Sequence, residues 1–177
     1  MSVMVRPASL DDLPGITEIH NYYVINTHIT FDVQPFRPEE RVAWFQEHSG
    51  DGRHRMLVAC ESTGQLLGYT CTGRFRTKEA YDTTVEASIT CHPEAVGRGI
   101  GKLLYGSLFD ALADQDIHRI VAGIAQPNEA SNALHRHFGF ERLGVFSEVG
   151  RKFGKYWDVM WLERRIPTSD KAVPRGD

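Results

Sequence analysis

The apolar positions of the chain change period several times, and each change marks an element. Val3 and Val5 suggest a short strand to Pro7, with Arg6 breaking the alternation. Leu13, Ile16, Ile19 and Tyr23 then recur at helical spacing, behind Asp11 or Ser9, either of which can cap a helix. Residues 26 to 36 crowd β-branched side chains together (Thr27, Ile29, Thr30, Val33) and show neither period. Pro38 suits the first turn of a second helix, with Val42, Trp44 and Phe45 as its apolar side and Gly50-Asp51-Gly52 as its end. Strand-like runs follow over Met56 to Cys60, Leu66 to Arg76 and Thr83 to His92, with a turn at Ser62-Thr63-Gly64-Gln65. Gly68 and Gly73 mark places in the second run where a bulge or a ligand could approach the backbone. Pro93 and a glycine cluster lead into an amphipathic helix over Lys102 to Ala113, and then come a strand (Ile117 to Ile124), a helix (Asn128 to His137) stopped by Gly139, and two strands (Arg142 to Val149, Lys155 to Leu162). The pattern predicts an α/β fold, a mixed central sheet flanked by helices, in one domain over residues 1–166 with a polar tail over 167–177.

The length of 177 residues with 41% hydrophobic residues suits one core rather than two. Charges of both signs are interspersed and sum to -3, which gives no general attraction to nucleic acid or to an anionic membrane. No segment approaches the roughly 18 apolar residues of a membrane span, and the N-terminus lacks a basic stretch followed by an apolar run, so a cytoplasmic location is expected. Cys60, Cys71 and Cys91 are an odd, scattered set in apolar runs and read as buried thiols, with no metal site implied.

The chemistry concentrates between Glu86 and Leu112. Gly97, Gly99 and Gly101 free the backbone to turn successive N–H groups toward an anion, and the helix that follows adds its first-turn N–H groups, so a phosphate or pyrophosphate is the natural guest. Arg98 and Lys102 can add charge at the rim. The loop lacks the Lys-Ser/Thr ending of a triphosphate loop and the glycine offsets of a dinucleotide fingerprint.

Ile89-Thr90-Cys91-His92-Pro93, Gly97-Arg98-Gly99-Ile100-Gly101 and Leu103-Leu104 together resemble the acetyl-CoA motif of the GCN5-related N-acetyltransferase superfamily. Asn128 to His135 and Phe138-Gly139-Phe140 resemble its second conserved segment. Thr84-Val85-Glu86, Val121 to Ile124 and Glu148 to Val159 are similar to the phosphinothricin and methionine sulfoximine N-acetyltransferases within it, and the likeness spans roughly residues 3 to 165. The resemblance implies acetyl transfer from acetyl-CoA to an amine, with the cosubstrate lying against a splayed pair of parallel strands, here Val85 to Cys91 and Arg119 to Ala125. It further implies that Ile89, Thr90 and Cys91 contact the pantetheine and thioester, that Gly97, Arg98, Gly99, Ile100, Gly101 and Lys102 hold the pyrophosphate, and that Asn128 and Ser131 bind from the far side. Val96 departs from the usual Arg or Gln, and a homodimer is implied.

Acetyl transfer needs a neutral amine, so an ammonium must first lose its proton. Glu86 is the candidate base, directly or through water. His135, on the helix after Asn128, is either an acid for the departing thiolate or structural; the thiolate can also leave without it. The acceptor pocket implied is Arg74, Phe75, Arg76, Val85, Glu86 and Ala87, with Arg74 or Arg76 clamping a carboxylate. Phe31, Phe36, Tyr81 and Tyr156 are further wall candidates. The expected acceptor is a small glutamate-like or methionine-derived amino acid. An acetyltransferase for peptide or protein N-termini and a non-catalytic CoA-sensing module are the alternatives.

Overall fold

The computed structural model describes residues 3–48 and 50–166, so the tail expected over 167–177 lies outside the described residues. Seven strands form one sheet: β1 (Val3–Pro7), β2 (Met56–Glu61), β3 (Leu66–Arg74), β4 (Thr84–Cys91), β5 (Arg119–Ala125), β6 (Glu141–Lys152) and β7 (Lys155–Arg165), in the spatial order β1-β2-β3-β4-β5-β7-β6. Every pairing is antiparallel except that of β4 with β5, which are joined by a crossover through a helix. The mixed sheet inferred from the changing period is therefore present.

Four helices cover its two faces: α1 (Leu13–Asn26), α2 (Val42–Gln46), α3 (Ile100–Ala111) and α4 (Glu129–His137). Strand alternation sends Val85, Ala87, Ile120, Ala122 and Ile124 to the face where Tyr105, Leu108 and Leu112 of the α3 segment bury them. Met56, Val58, Tyr69 and Cys71 meet Ile16 and Ile19 of α1 on the opposite face, with Trp44 and Phe45 of α2 packed against them. The second helix is shorter than its apolar side suggests: Pro38–Arg41 is a 3-10 turn, and α2 ends at Gln46, before Gly50. Both hairpin strands at the C-terminal end are longer than expected, meeting at Phe153 and Gly154, whose positive φ values of 53° and 73° make the turn.

Residues 27–37, which have no readable period, lie between α1 and the 3-10 turn and are fixed by side chains from four directions. Lys152 donates to the Thr30 carbonyl at 2.8 Å, His20 meets Asp32 at 2.7 Å, and Asn21 bonds both backbone groups of Phe36 at 2.8 and 2.9 Å. His28 stacks on Trp157 with ring centroids 4.1 Å apart and reaches the Pro127 carbonyl at 3.0 Å. The late Arg151 to Asp158 segment thus borders this chain's own loop. No helix among the described residues is long and apolar enough to cross a membrane.

Candidate active site

The site is organised by where the parallel pairing stops. β4 pairs with β3 from Gly68–Cys91 to Arg74–Val85, but with β5 only from Thr84–Arg119 to Glu86–Val121. Beyond Glu86 the two strands part, so the β5-facing edge of β4 has backbone groups without ladder partners while the other edge is fully paired. Ser88 and Gly123 lie mid-strand and are nevertheless exposed, which marks the cleft between the strands. A fold that opens a sheet here has made a slot for an extended, amide-bearing chain.

At the far end of β4, Gly97 and Gly99 each take φ of 81°, and a Cβ on either would meet nothing within 4 Å. Their requirement is the left-handed backbone, which puts the α3 N-terminus directly behind the loop with Gly99 as N-cap. Gly101 is different. It is helical, and a Cβ there would stand 3.1 Å from Leu134 of α4, so its smallness lets α4 pack against the first turn of α3. The expectation that all three glycines supply unusual backbone angles is corrected for Gly101 on this ground. Arg98 donates to Glu61 at 2.8 Å, which ties the loop to the end of β2, while Lys102 is exposed on α3. Gly68 is a close-approach glycine rather than a ligand position, since a Cβ there would be 2.8 Å from the Thr90 carbonyl.

Ile89 packs into the core from the end of β4, Thr90 faces the opposite side, and Cys91 is partly buried, with its thiol pushed up to about 11 by that burial. The Cys91 carbonyl accepts from the Tyr23 hydroxyl at 2.8 Å, a tie between α1 and the cofactor strand that nothing in the sequence pattern signals. Asn128 caps α4 by accepting from the Ser131 N–H at 3.1 Å, which leaves its amide nitrogen outside the cap.

Glu86 is the charged group of the cleft. It stands opposite Gly73, at which an added Cβ would find nothing within 4 Å, so there is open space beside the carboxylate. Burial raises its pKa above the ordinary carboxylate range, and the positive charge of Arg76 draws it part of the way back. Arg76 lies on the Phe75 ring, 4.2 Å from the centroid, and Phe75 meets Tyr81 and Trp161 edge-on. Trp161 covers Gly123, where a Cβ would be 3.2 Å from the indole, and the buried indole N–H has no partner among the described residues. Arg74 and Arg76 are both exposed, but the charge of Arg74 acts on His54 whereas that of Arg76 acts on Glu86.

The structure bears on three further sequence expectations. Val85 and Ala87 are 0% and 5% exposed and point into the α3-side core, because strand alternation puts them on the face opposite Glu86; only their backbone can meet an acceptor. His135 is 3% exposed, and both ring nitrogens are engaged: Nδ1 donates to the Ser131 carbonyl at 2.8 Å and Nε2 accepts from the Tyr105 hydroxyl at 2.8 Å. Burial also lowers its pKa, which favours the neutral ring, and these bonds hold α4 against α3, the structural one of the two roles that the sequence leaves open. Tyr156, a candidate wall of the acceptor pocket, is exposed on the hairpin.

Comparison with known proteins agrees with this geometry. Residues 5–161 match a family model described as an acetyltransferase (GNAT) domain. The chain is 55% identical over 165 residues to a phosphinothricin N-acetyltransferase of Streptomyces coelicolor, covering 93% of this chain and 96% of that one. It is 36% identical to an L-methionine sulfoximine/L-methionine sulfone acetyltransferase of Pseudomonas aeruginosa, over 97% and 99% of the two chains. Among solved structures, a phosphinothricin acetyltransferase of Sinorhizobium meliloti in complex with AcCoA superposes with a TM-score of 0.90 at 32% identity, over 99% of this chain and 94% of that one.

Proposed function

This chain belongs to the GNAT acetyltransferase family, and on that premise we propose that it transfers acetyl from acetyl-CoA to the α-amino group of a small amino acid whose side chain ends in a polar, glutamate-like group. Phosphinothricin, methionine sulfoximine and methionine sulfone are the acceptors of this class that its relatives' names point to. The observation that carries the reading is a half-buried carboxylate with a raised pKa, set beside open space at the point where β4 leaves β5.

The residues fit the cosubstrate. Gly97 and Gly99 with the α3 N-terminus form a cradle for pyrophosphate, and the unpaired β4 edge matches the amides of a pantetheine arm. Acetyl-CoA supplies an activated acetyl group as a thioester. Glu86, its basicity raised by burial, accepts the proton that the ammonium must lose, and N–H groups on the open β4 edge near Ile89 are placed to stabilise negative charge on the acyl oxygen. Arg76 holds the acceptor's carboxylate, which shares a carbon with the amine, so one guanidinium beside Glu86 orients both groups.

Arg76 therefore gives a direct test of acceptor class. The wild type should prefer L-methionine sulfoximine over its carboxamide in kcat/KM, and Arg76→Ala should lose that preference by about 30-fold or more, about 2 kcal/mol, the scale of a charge contact that the bound acceptor itself desolvates. Arg74→Ala should change it by less than about fivefold, because the charge of Arg74 acts on His54 and not on Glu86. Equal rates on acid and amide, with faster acetylation of a peptide N-terminus, would replace the free-amino-acid reading with the peptide one.

A further inference from the structure

The face of the sheet that carries Glu86 is covered in part by a buried cation, Arg41, at the end of the 3-10 turn before α2. It is 6% exposed, and its guanidinium lies 4.0 Å from the Trp44 centroid and 5.8 Å from that of Phe36. Aromatic rings cover the planes of a guanidinium but satisfy none of its N–H donors. One terminal nitrogen, Nη1, is buried and without a hydrogen-bond partner among the described residues. The acid whose charge is felt with Arg41, Asp32, is already committed to His20 at 2.7 Å and Thr30 at 3.1 Å. Tyr69, whose hydroxyl faces Arg41, is shared with His20 at 3.2 Å. A buried charged donor left open is costly, and a fold that keeps one has an acceptor to meet.

The sheet register shows where that acceptor lies. Trp44, which Arg41 covers, packs against Tyr69 of β3, and Tyr69, Cys71 and Gly73 alternate onto one face of the sheet, with Ser88 opposite Cys71 and Glu86 opposite Gly73; the Cys71 thiol, raised chiefly by burial, senses both Arg41 and Glu86. Arg76 approaches Glu86 as well, and is the cation that meets the carboxylate next to the amine. We propose that Arg41 is a specificity-determining residue that receives the far end of the acceptor's side chain, a group of phosphinate, sulfone, sulfoximine or carboxylate type whose oxygen accepts from Nη1. Two cations at different places on one face then read a short amino acid from both ends, and an apolar side chain of the same length leaves Nη1 unpaired.

The assignment rests on the amino-acid reading above, and the test separates the two. L-methionine sulfone and L-methionine share amine, carboxylate and chain, and differ only in the oxygens on sulfur. The wild type should favour the sulfone in kcat/KM by at least about tenfold, a hydrogen bond to a charged donor. Arg41→Met should bring the ratio to within about threefold, mainly through a raised KM for the sulfone, while Arg41→Lys, which keeps a charge without the fork, should fall between. Thermal melts of both variants report folding, and if Arg41→Met fails to fold, the wild-type ratio and Arg41→Lys decide alone. A wild type that treats the two acids alike, or variants that slow both equally, overturns the role of Arg41 and leaves amino-acid acetylation standing. Turnover of neither acid overturns the amino-acid reading, and this assignment with it.

Discussion

Glu86→Gln is expected to bind acetyl-CoA as the wild type does and to turn over about a hundredfold more slowly, or worse, at neutral pH. Glutamine keeps the shape and hydrogen-bonding reach of the side chain but cannot hold a proton, so the loss isolates the base. The pH dependence gives the sign. Burial raises the carboxyl's pKa and Arg76 only partly offsets it, so the active, deprotonated form is present above that raised value and is lost as pH falls through it. The acidic limb of wild-type kcat/KM should accordingly lie above the ordinary carboxylate range. In Glu86→Gln that limb should disappear, and the deficit should shrink at high pH, where free amine is abundant. Steady-state rates across pH with calorimetric acetyl-CoA binding check both parts; matching profiles in the two proteins would make Glu86 structural.

Gly99→Val should weaken acetyl-CoA binding at least about tenfold, or about 1.4 kcal/mol. The reason lies in the backbone, since a Cβ at Gly99 meets nothing within 4 Å, yet φ is 81°, where a β-branched residue is disfavoured. The variant escapes the strain by turning the loop's N–H groups away from the phosphate position. Gly106→Ala is the control: it lies within α3, an added Cβ meets nothing within 4 Å, and the change should leave binding untouched. Calorimetry on both variants decides it, and unchanged affinity in Gly99→Val would remove the cradle.

The sheet and its helices were legible because the core positions obey simple periods: Val85 and Ala87 alternate against Glu86, and Leu104 and Leu108 recur on one side of α3. The glycine loop was legible because glycines before a helix have few other uses. Arg41 was not, because an arginine that follows Glu39 and Glu40 in a charged turn reads as solvated, and only the depth of packing against Trp44 and Phe36 shows that it is buried. Nor were the ties that fix residues 27–37, since Lys152 reaches Thr30 across 122 positions of sequence and His28 reaches Pro127 across 99. His135 shows the converse fault: a titratable side chain at the family's donor position is committed to Tyr105 and Ser131 once the helices pack. Where period decides structure the sequence is enough; where a single polar group is buried by distant residues it is not.

The most direct measurement takes wild-type protein, acetyl-CoA and L-methionine sulfoximine, follows thiol release, and identifies the product by mass spectrometry and NMR. The account predicts one thiol released for each acetyl group found on the α-nitrogen, with release dependent on the amino acid. Thiol release without the acid, acetyl placed elsewhere, or no turnover with any small amino acid while CoA still binds would contradict it.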